Sequence, residues 1–261
     1  MQKSILLLVS VVCALLIMPS TVLSEGKVGL RFGMEILAAY TYWENDFSKE
    51  RFDNLGPGLL ISPESKKQFG RAFFAIDMTL GRFHYNGPDG LILTSSEDDI
   101  DTGFRSRMNK RDLLLRTGYD FLEFLGLSIN LRRNFLKLNA DHKTPGVRYE
   151  YLEKGLLLGP GLNARLPVER SMLFLEMSYL VGHLNTDYQN SITSPRVSRN
   201  RMNIQILAGS LGVLVPLGKA YKLGFLYKIE YQAKSAKSSI FKYNPTDLWF
   251  QGLATIIRYE F

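Results

Sequence analysis

The last sixteen residues of the chain, 246–261, alternate between two kinds of side chain. One set is mainly apolar and aromatic and consists of Leu253, Thr255, Ile257, Tyr259 and Phe261. The other set is mostly small or charged and consists of Gly252, Ala254, Ile256, Arg258 and Glu260. Because successive side chains of a strand point to opposite faces, this stretch is predicted as a strand with one apolar face.

The same two-residue period recurs along the chain and predicts ten strands. The predicted strands cover about 28–43, 55–62, 71–80, 111–121, 127–140, 147–166, 171–185, 201–215, 221–234 and 246–261. The second strand contains Pro57, which removes one ladder donor, and residues 63–68 after it are predicted as a turn. If 55–62 is only a loop excursion, eight strands are the alternative. A shift of phase near Arg133 predicts a bulge, and a second shift is predicted near Glu153.

The connections between the predicted strands differ in length. Short turns are predicted at 122–126, 167–170 and 216–219, and a connection of intermediate length at 141–146. Long polar loops are predicted at 44–54, 86–109, 186–200 and 235–245. An even number of strands with alternating short and long connections is typical of an antiparallel up-and-down β-barrel that spans a membrane, with short turns on the periplasmic side.

The N-terminal residues 1–24 have the composition of an export signal. Lys3 precedes the apolar run 5–18, and Pro19 then breaks it before a predicted cleavage site after Ser24. A retained anchor helix is the alternative, but the run is shorter than the ~20 residues that a span requires. The predicted mature domain is therefore 25–261. Its lack of cysteine, since Cys13 lies in the signal, excludes disulfides and thiol chemistry.

Charge and composition narrow the class of partner. The whole chain carries a formal charge of +7, and removal of Lys3 leaves 31 basic against 25 acidic residues, or +6. These basic residues are spread through the predicted strands and loops without a dense run, so we do not expect nucleic-acid binding. The chain is 46% hydrophobic, yet no second run of about 18 apolar residues follows the signal, as expected where only alternate positions face lipid.

Together, the signal, the alternation, the rhythm of connections and the ending Arg258-Tyr259-Glu260-Phe261 resemble bacterial outer-membrane β-barrel proteins as a broad class. The resemblance covers 26–261. It implies an integral protein of the outer membrane that contacts outer-membrane lipid and lipopolysaccharide. It also implies that the barrel assembly machinery reads the terminal aromatic residues Tyr259 and Phe261. A second interpretation, compatible with the first, is that Phe261 is an aromatic residue of the membrane-interface girdle.

The charged residues on the predicted inner faces are the candidate site residues. Both signs occur among these residues, which are Arg31, Glu35, Arg71, Asp77, Asp112, Arg116, Asp120, Arg132, Glu176, Lys222, Lys228, Glu230 and Arg258. Charges removed from water in a narrow barrel must be paired, which favours a salt-bridged network that plugs the lumen. The alternative is a narrow passive channel lined by mixed charge.

No complete catalytic constellation is present in the sequence. Barrel lipid hydrolases pair a histidine with a nearby serine, and neither His84, His142 nor His183 has that spacing. Omptin proteases use two aspartates in one loop and an Asp–His pair in another. Asp99 and Asp101 fit the first requirement, but the fourth loop supplies no Asp-x-His.

We also predict neither a metal site nor a cofactor. The acidic run 97–101 lacks the glycine and the distal glutamate of a calcium loop, and no helix follows the Gly-x-Gly triplets. The sequence thus favours a structural or surface-interaction barrel with an unknown surface ligand. A channel is the first alternative and a surface protease the second.

Overall fold

The computed structural model describes residues 28–44, 54–85, 104–142, 148–190, 194–236 and 247–260. The predicted signal 1–24 and the terminal Phe261 lie outside these residues. Ten strands are present: β1 (Val28–Glu44), β2 (Asn54–Phe69), β3 (Ala72–Tyr85), β4 (Phe104–Leu122), β5 (Leu125–His142), β6 (Arg148–Val168), β7 (Ser171–Asn190), β8 (Ser194–Pro216), β9 (Tyr221–Ala236) and β10 (Asp247–Glu260).

Each strand pairs with its sequence neighbours in antiparallel register, and β1 pairs with β10 to close the barrel. The all-β, up-and-down, ten-stranded prediction is therefore confirmed, and the eight-stranded alternative is wrong. Closure removes both sheet edges, so the ladder satisfies backbone groups all the way round.

The two rims of the barrel differ in their connections. At the rim that we call the turn end, β2–β3, β4–β5, β6–β7 and β8–β9 are joined by two to four residues. Gly70 and Glu169 have positive φ angles of 59° and 51° there, which allow the chain to reverse within two residues. The N-terminus of β1 and the C-terminus of β10 lie at the same rim. The opposite rim, the loop end, carries the connections that lie outside the described residues.

Several predicted boundaries are wrong because the strands are longer than the sequence pattern indicates. The segment 63–68 is not a turn, since β2 continues to Phe69 and pairs Glu64 with Asp77. The predicted loop 86–109 ends at Phe104, where β4 begins, and most of 186–200 belongs to β7 and β8. Strands that project beyond the membrane no longer need an apolar face, so their outer parts lose the alternation that identifies the rest.

The predicted bulge near Arg133 and the predicted shift near Glu153 are also wrong. The register of β5 with both neighbours is continuous through Arg133, and that of β6 is continuous through Glu153. What changes along β5 is the face that carries the apolar residues. Ile129 lies on the outward face, whereas Leu136 and Leu138 are buried in the lumen. The shift in the hydrophobic pattern therefore marks an apolar lumen and not an extra residue.

The outward surface is a broad apolar belt. Exposed large hydrophobic side chains occur on all ten strands, with Leu253 72% exposed and Ile129 60% exposed. Aromatic residues lie near the turn end, where the Tyr221 and Tyr259 rings are 4.9 Å apart. No helix in the described part of the chain is long and apolar enough to span a membrane. An apolar surface of this extent requires an apolar surrounding.

Candidate functional site

The half of the lumen nearer the loop end is filled mainly by apolar side chains, although the ion pair of Lys234 and Glu153 is buried at the same height. Phe83 on β3 and Phe250 on β10 meet inside the barrel with their ring centroids 5.5 Å apart. Other members of this apolar layer, all at most 8% exposed, are Leu37, Leu60, Met108, Leu136, Leu138 and Leu248. A second buried cluster from β6, β7 and β8 consists of Leu157, Leu180, Leu184, Met202, Ile204 and Ile206. Because both clusters are buried within the closed strands, they leave little room for water in this half.

A central charged network joins opposite sides of the barrel. The Lys110 Nζ atom lies 2.8 Å from Asp112 Oδ2 and 3.0 Å from Glu230 Oε1. Arg132 donates to the same two carboxylates at 2.6 Å and 2.8 Å. Gln232 Nε2 donates to Glu230 Oε1 at 2.6 Å. Two cations thus balance two carboxylates in the middle of the lumen, and Lys110 also lies 4.4 Å from the centroid of the Phe250 ring.

Further ion pairs lie closer to the turn end. Arg258 Nε donates to Glu64 Oε1 at 2.5 Å, and Arg31 Nε is 3.6 Å from the same oxygen. Arg116 contacts Asp77 Oδ2 at 2.7 Å and Glu176 Oε2 at 3.1 Å.

Two more pairs complete this group. Lys228 Nζ is 2.6 Å from Glu35 Oε1, and Arg165 is 3.8 Å from Asp120. Each of these pairs joins two different strands, so together they cross-link the barrel wall through its interior.

The charged side chains surround a cavity of about 200 Å³. Its lining includes every charged residue of the two groups described above except Asp120, together with Asn130, Asn163 and Lys66. Several lining polar atoms are buried without a hydrogen-bond partner, among them both amide atoms of Asn163 and Nε of Arg31. Polar groups in a cavity of this size are commonly hydrogen-bonded to internal water.

Eleven of the thirteen candidate residues lie in the ion pairs of the lumen: Arg31, Glu35, Asp77, Asp112, Arg116, Asp120, Arg132, Glu176, Lys228, Glu230 and Arg258. Arg71 does not join them, because it is exposed at the turn end and donates to the carbonyl of Phe121 at 3.3 Å. Lys222 is half-buried and is the second residue of β9, at the turn end.

Sequence reasoning missed six charged residues of the lumen: Glu64, Lys66, Lys110, Glu153, Arg165 and Lys234. Glu64 and Lys66 lie in the segment that was wrongly predicted as a turn. They follow Ser62 at every second position and therefore share its inward face. Lys110 falls just outside the predicted start of the fourth strand. Lys234 and Glu153 form an ion pair of 2.5 Å, with side chains only 1% and 0% exposed. The two-residue alternation of β9 places Lys234 on the inward face, so the sequence was sufficient to predict this residue as part of the lumen.

The histidines considered as catalytic candidates are not brought together. His84 and His183 are exposed at outward-facing positions of β3 and β7. Asp99 and Asp101, and the side chain of His142, lie outside what the structure describes. Among the described residues, no three or more His, Cys, Asp or Glu side chains are close enough to hold a metal ion.

A group of basic residues lies on the outside of β4–β6, towards the loop end. We call Arg107, Arg111, Arg133 and Lys154 the outer basic cluster. All four are exposed, and the register places Arg111 and Lys154 on either side of Phe135. No carboxylate in the described part of the chain lies within ion-pair distance of them, whereas nearby Lys137 pairs with Glu150 at 2.7 Å.

Comparison with known proteins shows the fold but no family. No protein-family model matches the sequence, and no curated protein matches it either. The translocator domain of autotransporter NalP from Neisseria meningitidis aligns with 93% of this chain and 92% of its own, at a TM-score of 0.56 and 11% identity. The outer membrane protease OmpT from Escherichia coli aligns with 92% of this chain and 100% of its own, at a TM-score of 0.55 and 8% identity. The chain is a ten-stranded closed β-barrel of the kind found in bacterial outer-membrane proteins.

Proposed function

We propose that this protein is an integral outer-membrane barrel with a structural or surface-interaction role, whose lumen does not conduct. The observation that carries the proposal is contact between side chains of opposite strands. Lys110 on β4 and Glu230 on β9 are five strands apart in either direction round the barrel, yet their charged atoms are 3.0 Å apart. The apolar layer around Phe83 and Phe250 supports the same conclusion, because dehydrated apolar constrictions oppose the passage of ions.

Conductance in a planar lipid bilayer is the direct test. The purified protein is refolded, its folded state is verified by a change in gel migration on boiling, and current is recorded across the bilayer. We expect no discrete steps. Reproducible single-channel steps from protein folded in this way would overturn the proposal and favour a narrow passive channel. In that case, neutralising Arg116 or Lys228 would change ion selectivity.

We infer that the membrane partner is lipopolysaccharide, contacted through its phosphate groups. Tyr119 near the turn end and Arg111 are eight residues apart on β4. At about 3.3 Å per residue and a tilt of about 40°, this is a height of roughly 20 Å, comparable to the ~25 Å apolar band of such barrels. The outer basic cluster therefore lies near the upper border of the belt. Arginine and lysine without carboxylate partners are suited to bind phosphate there.

The opposite side of the barrel has a different chemistry at the loop end. There Tyr231 on β9 and Trp249 on β10 contact each other, with ring centroids 4.4 Å apart. Aromatic residues of this kind lie at membrane interfaces without requiring phosphate. The asymmetry supports a lipid contact centred on β4–β6.

Binding of lipopolysaccharide tests this inference. The double variant Arg133→Ala, Lys154→Ala should lose most of the thermal stabilisation that added lipopolysaccharide gives to the refolded protein. Lys67→Ala, which removes an outward cation near the turn end, should retain it. Equal stabilisation of both variants, or equal stabilisation by lipid A with and without its phosphates, would contradict phosphate recognition by the outer basic cluster.

We propose no enzymatic activity. The described histidines face outward and away from the acidic residues of the lumen, which supports a non-catalytic role. Asp99→Ala and His142→Ala should leave any function of the protein at the cell surface unchanged. A surface hydrolysis lost in either variant, with the barrel still folded, would reverse this conclusion.

A further inference from the structure

Lys66 is a buried cation of the lumen whose surroundings differ from those of its neighbours. It lies on β2, where it is 6% exposed, and it lines the cavity on the turn-end side of the central network. Its Nζ atom is 3.9 Å from the centroid of the Phe73 ring. A ring face interacts favourably with a cation, but it does not neutralise the charge.

Six carboxylates line the cavity, and Asp120, outside the lining, pairs with Arg165; counting these seven against the cations of the cavity leaves Lys66 as the one in excess. Among the described side chains, seven other cations line the cavity: Arg31, Lys110, Arg116, Arg132, Arg165, Lys228 and Arg258. Seven carboxylates pair with them: Glu35, Glu64, Asp77, Asp112, Asp120, Glu176 and Glu230. No described carboxylate lies within ion-pair distance of Lys66. An ammonium group buried without an opposite charge is costly in a medium of low dielectric constant.

Asn163 provides a second polar group that the protein leaves unsatisfied. It is 8% exposed on β6 and lines the same cavity, and neither its Nδ2 nor its Oδ1 atom has a hydrogen-bond partner. Arg165, two residues further on the same inner face, also lines the cavity. Its one carboxylate partner is Asp120, at the long ion-pair distance of 3.8 Å. Cationic and amide donors from β2 and β6 thus line the same cavity.

We propose that this cavity binds a small monovalent anion, of the size of a halide or a short carboxylate, with Lys66 supplying the charge and Asn163 Nδ2 a hydrogen-bond donor. The anion would restore neutrality to a lumen in which every other described cation of the cavity has a carboxylate. The cavity of about 200 Å³ accommodates such an ion with water around it. The proposal does not depend on whether the barrel conducts or binds lipopolysaccharide.

The test compares bromide dependence in two lysine variants that differ by one position. Refolded protein in an uncharged detergent is heated at increasing sodium bromide, and sodium gluconate, whose anion is larger than those proposed, keeps the ionic strength constant. The melting temperature of the native protein should rise with bromide and saturate. Lys66→Met should weaken the apparent bromide affinity at least tenfold. Lys67→Met, which removes the same charge from the outward face, should behave like the native protein.

A second variant keeps the test decisive if Lys66→Met does not fold. Asn163→Leu leaves every charge in place and should weaken bromide binding several-fold. Crystals grown in bromide should show an anomalous-scattering peak beside Lys66 Nζ in the native protein. A native melting temperature independent of bromide, or an identical dependence in native protein, Lys66→Met and Asn163→Leu, would overturn the proposal.

Discussion

Lys110 and Glu230 lie on diametrically opposite strands of the barrel, and their side chains form a salt bridge of 3.0 Å across its interior. Both side chains are largely buried, at 4% and 15% exposure. Arg132 contacts the other oxygen of Glu230 at 2.8 Å. This one carboxylate therefore connects β4, β5 and β9 through specific contacts across the lumen.

Removing the charge of Glu230 should destabilise the barrel strongly. In Glu230→Gln, Lys110 and Arg132 remain buried with only Asp112 to balance them. Breaking a buried ion pair on one side typically costs about 3–5 kcal/mol, mostly because a charge is left unpaired. Urea unfolding of the protein in lipid vesicles, followed by tryptophan fluorescence, measures this loss.

An exposed ion pair of the same chain provides the control. Arg148 and Asp141 are 3.6 Å apart, with side chains 57% and 54% exposed. Asp141→Asn should therefore change the free energy of unfolding by no more than ~1 kcal/mol. Similar small losses in both variants would mean that the centre of the lumen is hydrated and that the Glu230 network does not close it.

The number of strands could be predicted from the sequence, whereas the contents of the lumen could not. Alternation in β9 and β10 is a local property, since lipid contacts every second residue, and it gave these strands to within a few residues. The contact between Lys110 and Glu230 depends on closure and on the stagger of the strands. Neither quantity is encoded in any short segment.

β5 shows why the contents of the lumen do not follow from the hydrophobic pattern. A lumen is expected to be polar, so the apolar residues Leu136 and Leu138 give the hydrophobic pattern an apparent change of phase near Arg133. They are in fact inward-facing residues of the apolar layer, and the outward positions on either side of Leu138 hold Lys137 and Asn139. At this height the barrel wall has left the apolar belt while its interior has become an apolar core, so the usual pattern is inverted.

Gly159 is required by the close approach of β6 and β7. A Cβ atom at this position would lie 1.9 Å from the carbonyl oxygen of Tyr179, and that oxygen belongs to the backbone. Gly159→Ala should therefore sharply reduce the yield of protein that shows heat-modifiable migration after refolding. Gly218→Ala, in the β8–β9 turn with nothing within 4 Å of the added atom, should refold normally. Equal yields would show that the two strands can separate without loss of the barrel.

The Phe83–Phe250 contact should appear as a coupling energy. Aromatic pairs at such distances contribute about 0.5–1.5 kcal/mol beyond the area that they bury. The double variant Phe83→Ala, Phe250→Ala should consequently be less destabilised than the sum of the single variants by about that amount, measured by urea unfolding. Phe83→Ala combined with Phe225→Ala, an outward residue of β9, should give additive losses. Additivity in both cases would contradict a direct contact across the lumen.

Two roles are proposed for Tyr259, one as part of the assembly signal and one as an aromatic residue that packs in the folded barrel, and they can be distinguished by mutation. Its ring contacts Tyr221 at 4.9 Å, so Tyr259→Ala and Tyr221→Ala each remove the same ring contact from the folded barrel. Only Tyr259 lies in the terminal segment that the assembly machinery is proposed to read. We expect the two variants to refold equally well from denaturant into detergent, where no machinery is present. In cells, Tyr259→Ala should lower the amount of folded barrel in the outer membrane several-fold more than Tyr221→Ala. Matching losses of the two variants in cells would assign Tyr259 to the aromatic girdle alone.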